Sequence, residues 1–298
     1  MKKFFAAIFA VAFCFTFYGC ERTEVTKKDL VLCTVFPQFD FARSISGGEV
    51  NVEMLVPCGS EAHDYEPTAK DIKKISSSKL FLYIGGESDE WIKKTISSSD
   101  GKLNCVSLID CITAPCYTNH GGEKELDEHI WTSPKNAILM ARKICTEMSL
   151  AFPEKSDKFA ANLKKLLETL TKLDADMAKL PKELAQKTII IGDRNPFSYW
   201  TSDYNIKIAA AYHGCGHDSE PSGAEISKLI DLAKKQKTKS VFYVDFSSSK
   251  IANTIAEATN ATVKHLFSCH QVTNEQLAAG ETYCSLINKN IKAIFEEE

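Results

Sequence analysis

Short apolar runs alternate with amphipathic stretches through most of the chain. In the first half, runs of strand length lie at residues 29–36, 50–56, 79–85 and 102–109. In the second half they lie at residues 188–192, 206–212, 239–245 and 262–267. Between the runs, segments such as TAKDIKKISSS and AEISKLIDLAKKQ carry apolar residues at helical spacing with charges between them. Because strand and helix alternate in both halves, the pattern predicts two α/β lobes with parallel-type sheets.

The most periodic segment separates the two halves, at residues 153–186. Its apolar residues recur at steps of three and four: Phe159, Leu163, Leu166, Leu170, Leu173, Met177 and Leu180. This spacing predicts one long amphipathic helix, with Pro153 in its first turn and Pro181 at a kink near its end. The stripe is too short for a coiled coil, so we expect core packing. The predicted fold is therefore two Rossmann-like lobes joined by one long backbone helix. Its predicted parts are a signal peptide (1–19), an N-terminal lobe (20–152), the linker helix (153–186) and a C-terminal lobe (187–298).

The N-terminus has the pattern of a secretory signal. Lys2 and Lys3 precede an uninterrupted apolar run at residues 4–17, followed by Tyr18, Gly19 and Cys20. A membrane-spanning helix needs roughly 20 apolar residues, so this run predicts a signal peptide. The small residue before Cys20 resembles a bacterial lipobox, although Phe17 departs from its usual leucine. We expect Cys20 to carry a lipid anchor; the alternative is an ordinary cysteine near a cleaved terminus.

Composition narrows the classes of partner. The chain has 36 Lys and Arg against 39 Asp and Glu, a formal net charge of −3, so nucleic acid is not an expected partner. Of its 11 cysteines, nine remain when Cys14 and Cys20 are set aside. In an exported protein such residues usually form disulfides, and an odd number leaves at least one unpaired.

Two histidines lie in polar loops between a predicted strand and a predicted helix. His63 lies in VPCGSEAHDYEPT, and His129 lies in DEHIWTSP. In α/β sheets such loops hold ligands. Imidazole is a favoured zinc ligand, and the neighbouring carboxylates could bind the ion or orient the rings. From these residues alone, a metal site at His63 and His129 and two solvated loop histidines are equal alternatives.

Five segments together resemble successive motifs of one protein family: GSEAHDYEPTAKDI, GGESDEWI, DEHIWTSP, EPSGAEISKLI and SSKIANTIAEAT. They are similar to the solute-binding lipoproteins that include the zinc and manganese receptors of bacterial ABC importers. The resemblance covers nearly the whole chain after the signal. It implies a non-enzymatic, lipid-anchored receptor, periplasmic or at the cell surface, that passes a divalent metal to an ABC permease and its ATPase. It also implies that His63 and His129 are ligands.

The chain departs from this family at the third and fourth ligands. The family's third ligand is the histidine of a His-Asp-Ala-Phe-Gly-Tyr motif, and Arg194 of GDRNPFSYW stands at that position. Arginine carries a fixed positive charge and cannot bind a cation. The family's fourth ligand, an acid in a Leu-Phe-Thr-Asp-like loop, is matched here by LFSCHQ. We predict His270 as the third ligand, with a carboxylate or water completing a tetrahedral zinc shell. The candidates for the fourth position are Asp193, Cys269, His213, Glu61 and water.

Zinc is predicted over manganese, because three nitrogen ligands suit zinc and manganese prefers oxygen. The polar segment CYTNHGGEKELDEH, interpreted as a short loop containing His120, stands where the zinc receptors of the resembled family often carry a longer loop rich in His, Asp and Glu. This resemblance favours zinc as well. Cys269 could bind the metal or pair with Cys215 of the loop YHGCGHDSEPS; the exported compartment favours the disulfide. His213 and His217 of that loop are possible accessory ligands, and His265 is expected to pack within a strand.

Two other classes of function compete with the receptor. A zinc hydrolase would need an open water position and a general base such as Glu61 or Glu220, and the chain has no HExxH motif. In a structural or adhesin lipoprotein the histidines would be incidental. The chain lacks a GxxxxGK[ST] phosphate loop, so ATP use is assigned to a partner.

Overall fold

The structure is a computed structural model that describes residues 29–97, 103–120, 123–185, 187–212 and 221–296. The predicted signal segment and Cys20 lie outside these residues. So do His213, Cys215, His217 and Glu220, and the side chain of His120 is also outside the described part.

Strands and helices alternate along the described chain, as the apolar pattern predicts. The strands are β1 (Leu30–Cys33), β2 (Asn51–Met54), β3 (Leu80–Tyr83), β4 (Cys105–Ser107), β5 (Tyr117–His120), β6 (Glu123–Leu126), β7 (Ile189–Ile191), β8 (Ile208–Ala210), β9 (Ser240–Val244) and β10 (Thr262–Leu266). The helices are α1 (Phe36–Ser46), α2 (Ala69–Ser77), α3 (Glu90–Ser97), α4 (Pro134–Ala151), α5 (Ser156–Met177), α6 (Leu180–Glu183), α7 (Ser198–Tyr204), α8 (Gly223–Gln236), α9 (Lys250–Thr259), α10 (Asn274–Ala278) and α11 (Tyr283–Phe295).

The strands form two parallel sheets of four strands each. The first sheet has the order β2-β1-β3-β4, and the second has the order β10-β9-β7-β8. Val31 of β1 pairs with Val52 and Leu80, which makes β1 a central strand. The strands β1 and β7 are buried along their whole length, because helices cover both faces of a parallel sheet. The predicted fold of two α/β lobes with parallel sheets is confirmed.

The helix between the halves is shorter than the predicted 153–186 segment. Its regular part, α5, ends at Met177, and Pro181 lies in the first turn of the short helix α6. A proline ring clashes with the carbonyl four residues earlier, which is that of Met177, so the long helix must end there. Helix α5 packs against α1 and α4 of the first half and against α11 of the second.

The polar segment before His129 is a hairpin and not a loop. Strands β5 and β6 pair antiparallel, with Tyr117 opposite Leu126. The Gly121-Gly122 pair between them in the sequence is a typical hairpin signal that the loop interpretation overlooked. Within the described residues, we find no helix that combines the length and the apolar character needed to span a membrane.

Candidate metal centre

Three histidines from three loops meet in a pocket between the two sheets. His63 follows β2, His129 follows β6, and His270 follows β10. One ligand nitrogen from each ring lies within 4.8 Å of the others. The ring centroids are 5.4 Å apart for His63 and His129, 4.7 Å for His63 and His270, and 5.6 Å for His129 and His270. The structure thus brings together the three residues predicted as ligands.

A serine and a glutamate orient the ring of His63. Its Nδ1 lies 2.8 Å from the Ser88 hydroxyl oxygen and 3.3 Å from Glu128 Oε1. Ser88 donates its backbone N–H to Glu128 Oε2 at 3.0 Å, and its hydroxyl donates to Oε1. Glu128 reaches this position because residue 86 is glycine: a Cβ there would lie 2.1 Å from Glu128 Oε2. With Nδ1 held by these groups, Nε2 is the nitrogen of His63 that would bind a metal.

A buried carboxylate orients the ring of His129. Asp127 Oδ1 accepts the backbone N–H of His129 at 2.9 Å and lies 2.8 Å from its Nδ1. Burial raises the pKa of Asp127, but the hydrogen bonds and charge of His129 outweigh burial and lower that pKa below its usual value. Asp127 is therefore ionised at neutral pH. A carboxylate on the second nitrogen of a histidine is a recurrent partner in zinc sites, where it fixes the ring and strengthens the ligand.

The loop after β10 turns His270 into the pocket. The preceding residue, Cys269, has a φ of +60°, an uncommon conformation for a residue with a side chain. Burial lowers the pKa of His270 well below its usual value, and the nearby His63, His129 and Arg194 lower it further. His270 is therefore a neutral imidazole, which is the form that binds metal ions.

Aromatic side chains fix the loops that carry His129 and His270. The ring of Trp131 lies 5.2 Å from His129 and 4.8 Å from His270, measured between centroids. Four hydrogen bonds join the His129 loop to the second half: Trp131 Nε1 to Ser268 O (2.8 Å), Tyr199 Oη to Asp127 O (2.9 Å), Trp200 Nε1 to Thr132 O (2.8 Å) and Tyr283 Oη to Trp131 O (2.6 Å). These roles are not predicted by the apolar pattern, although the tryptophan and tyrosine residues of DEHIWTSP and GDRNPFSYW are signals of buried aromatic side chains.

The two acids proposed for the fourth position lie outside the three-histidine group. Glu61 lines the same pocket, but its Oε2 accepts a hydrogen bond from the Arg194 guanidinium at 3.2 Å. Asp193 accepts the backbone N–H groups of Arg194 (2.8 Å) and Val244 (3.2 Å). Its carboxylate therefore stabilises the loop after β7. His213, the remaining histidine candidate, lies outside the described residues.

The predicted disulfide between Cys215 and Cys269 is not supported. Cys269 is a free, fully buried thiol, and Cys215 lies outside the described residues. His270 lines the pocket, whereas Cys269 packs in the hydrophobic core. Burial raises the pKa of the Cys269 thiol well above its usual value, which disfavours the thiolate that metal binding needs. The other described cysteines are free as well: Cys33, Cys58, Cys105, Cys111, Cys116, Cys145 and Cys284.

Two parallel sheets with three inward-facing histidines between them have the architecture of a two-lobed protein with a candidate metal site in its cleft. The sequence model of the ZnuA family matches residues 31–297. This family is the periplasmic component A of the zinc-uptake complex, and the chain belongs to it. The resemblance read from the motifs is thereby confirmed.

Similar proteins and structures come from several bacteria. The chain is 28% identical over 305 residues to the zinc-binding lipoprotein AdcA of Streptococcus pneumoniae, covering 99% of this chain and 60% of that protein. It is 26% identical to the high-affinity zinc uptake system protein ZnuA of Bacillus subtilis, covering 99% of this chain and 98% of that protein.

The crystal structure of the Zn(II)-bound ZnuA-like domain of Streptococcus pneumoniae AdcA superimposes with a TM-score of 0.76 at 29% identity, covering 91% and 98% of the two chains. The metal-dependent lipoprotein YcdH of Bacillus subtilis superimposes with a TM-score of 0.78 at 26% identity, covering 91% and 99%. The chain thus spans 60% of the length of the pneumococcal AdcA it matches.

Proposed function

We propose that this chain is an extracytoplasmic receptor that captures zinc with His63, His129 and His270. The observation that carries the proposal is the convergence of three imidazole nitrogens within 4.8 Å of one another. Zinc takes four ligands in a tetrahedron and binds neutral imidazole well. Manganese prefers oxygen ligands, so three nitrogens favour zinc. Among the candidates within the described residues, water is left to complete the shell, because Glu61 and Asp193 are engaged with other partners and Cys269 packs in the core.

The captured ion is delivered to the permease of an ABC importer, whose ATPase drives transport. Membership of the zinc-uptake family supports this proposal, as does the similarity to proteins named zinc-binding lipoprotein and zinc uptake protein. The family's description as a zinc-uptake complex component supports a receptor over an enzyme. Glu61, one of the two bases considered for a hydrolase, is paired with Arg194, and the other, Glu220, lies outside the described residues.

The remaining features of the proposal concern export and organisation. Residues 1–19 act as a signal peptide, and Cys20 carries the lipid that holds the receptor at the membrane surface. The lobes are residues 20–152 and 187–298, and the 153–186 segment joins them. The basic start, the apolar run at residues 4–17 and Gly19 before Cys20 support export and anchoring.

Zinc content and a chelator-competition titration test the metal site. The protein from residue 21 to 298 is compared with a variant carrying His63→Ala, His129→Ala and His270→Ala, and thermal unfolding checks that the variant folds. We expect one zinc per parent chain and none in the variant. Equal binding by both proteins would move the site elsewhere, and no binding by either would favour a structural lipoprotein. Turnover of a test ester by the zinc-loaded parent would favour the hydrolase.

A further inference from the structure

An ion pair crosses the metal pocket between the two halves of the chain. Glu61 lies on the loop after β2, and Arg194 lies on the loop after β7. The Arg194 guanidinium is 3.2 Å from Glu61 Oε2, and both side chains are mostly buried, with exposures of 18% and 23%. The other oxygen of Glu61 accepts the backbone N–H of His63 at 3.4 Å. Both oxygens of this carboxylate therefore have partners within the protein.

The other described carboxylates around the pocket contact histidine rings or backbone N–H groups. Asp127 and Glu128 contact the histidine rings through Nδ1. Asp245, at the end of β9, accepts the backbone N–H of Ser268 at 2.5 Å and lies 2.9 Å from His265 Nε2. Glu61 differs from these acids, because an arginine side chain from the opposite half holds it. Glu61 also lines the pocket together with the three histidines, so a carboxylate released by Arg194 would remain beside the ion.

We propose that Arg194 sets the metal preference of the pocket by holding Glu61 away from the bound ion. This inference rests on the proposed function, because it takes the three histidines as the ligands. A metal dication attracts the Glu61 carboxylate, and the permanently charged guanidinium competes with the metal for it. While Arg194 holds Glu61, the ion meets three nitrogens and water, a set that favours zinc. If Glu61 joined the shell, its anionic oxygen would improve the site for manganese.

Paired substitutions test the proposal through the ratio of zinc to manganese affinity. Both affinities are measured by competition with a chromophoric chelator for the parent, R194Q, R194K, E61Q and the double variant R194Q/E61Q. In R194Q, we expect the affinity ratio to shift toward manganese by about tenfold, a typical effect of groups around a metal site. The shift should be absent in R194Q/E61Q, which has no carboxylate to release. R194K keeps the positive charge and should keep the parent ratio.

Cobalt serves as a spectroscopic probe, because its visible absorption bands report the ligands in a zinc site. The cobalt spectrum of R194Q should differ from that of the parent, and the spectrum of R194Q/E61Q should return to the parent form. The proposal is overturned if R194Q keeps the parent ratio and spectrum, or if its changes persist in the double variant. Failure of the parent to hold zinc would instead overturn the proposed function, so the two failures are distinguishable.

Discussion

At the scale of single residues, the candidate site depends on the groups that hold the histidine rings as well as on the rings themselves. The sequence could predict His63 and His129, because each lies in a polar loop next to carboxylates. It could also predict His270, because that residue stands where the related receptors have an acid. The role of Glu128 could not be predicted, since its contact with Ser88 joins residues 40 positions apart. Such contacts depend on how strands and loops pack, which periodicity does not encode.

The Asp127 carboxylate gives the first prediction. Replacing Asp127 by Asn removes the charge that orients His129, which we propose as a metal ligand. We expect zinc affinity to fall by about 10- to 100-fold, the usual effect of losing such a partner. Competition titration measures the change, and Glu125→Gln on β6 is the matched control. Parent-like affinity in Asp127→Asn would show that His129 needs no carboxylate partner.

Gly86 gives a second prediction at the same scale. In Gly86→Ala, the added methyl group would lie 2.1 Å from Glu128 Oε2 and 2.2 Å from its Cβ, so Glu128 must move away. His63 then loses part of its support, and we expect zinc affinity to fall by about tenfold. Gly223→Ala is the control, because its Cβ would meet no atom within 4 Å. An equal effect of both substitutions on zinc affinity would rule out this role for Gly86.

At the scale of elements, the apolar runs predicted the alternation of strands and helices along both halves of the chain. The boundaries were less accurate, because local interactions decide them. The predicted long helix ends at Met177 because of the Pro181 ring, and the predicted polar loop is the hairpin β5–β6. In both cases the responsible residues were visible in the sequence. Their local effects override the apolar periodicity at these two places.

The loop after β3 gives a prediction about pH. Asp89 Oδ2 accepts the N–H groups of Ile84 at 2.8 Å and Gly85 at 3.0 Å. Burial, reinforced by the nearby charge of Glu128, raises the pKa of Asp89 to about 7 despite these hydrogen bonds. In the unfolded chain the group ionises near its ordinary pKa of 3.8. Between about pH 4 and pH 7, Asp89 is therefore ionised in the unfolded chain and still protonated in the folded one. As pH rises through this range, Asp89 progressively lowers the free energy of unfolding.

Replacing Asp89 by Asn keeps an acceptor oxygen and removes the buried charge. We expect the free energy of unfolding of metal-free Asp89→Asn to exceed that of the parent at pH 8 and to match it near pH 4. The increase in the free energy of unfolding should be a few kcal/mol at most, because each unit of difference between the folded and unfolded pKa of Asp89 corresponds to about 1.4 kcal/mol. Denaturant unfolding at the two pH values measures it, with Asp231→Asn on the exposed face of α8 as the control. A difference that does not depend on pH would contradict this explanation.

At the scale of the whole molecule, the two halves are joined next to the metal pocket as well as through α5. Helix α5 packs on helices of both halves, and four hydrogen bonds tie the His129 loop to the second half. The sequence could predict the first connection from the leucine stripe. It could not predict the second, because its partners are 68 to 152 positions apart in the chain.

These connections predict that zinc binding closes the molecule very little. Wide hinge motion would have to break the Trp131–Ser268 hydrogen bond and leave a buried carbonyl without a partner, at a cost of about 1–3 kcal/mol. We therefore expect the radius of gyration from small-angle X-ray scattering to agree, within error, between the metal-free and zinc-loaded parent. In Trp131→Phe the indole donor is lost while the ring remains, so the metal-free form should expand and zinc should restore the parent value. A clear contraction of the parent on zinc binding would mean that the two halves hinge despite α5 and the aromatic hydrogen bonds. Capture would then depend on lobe closure and not on a pocket that is formed before the ion arrives.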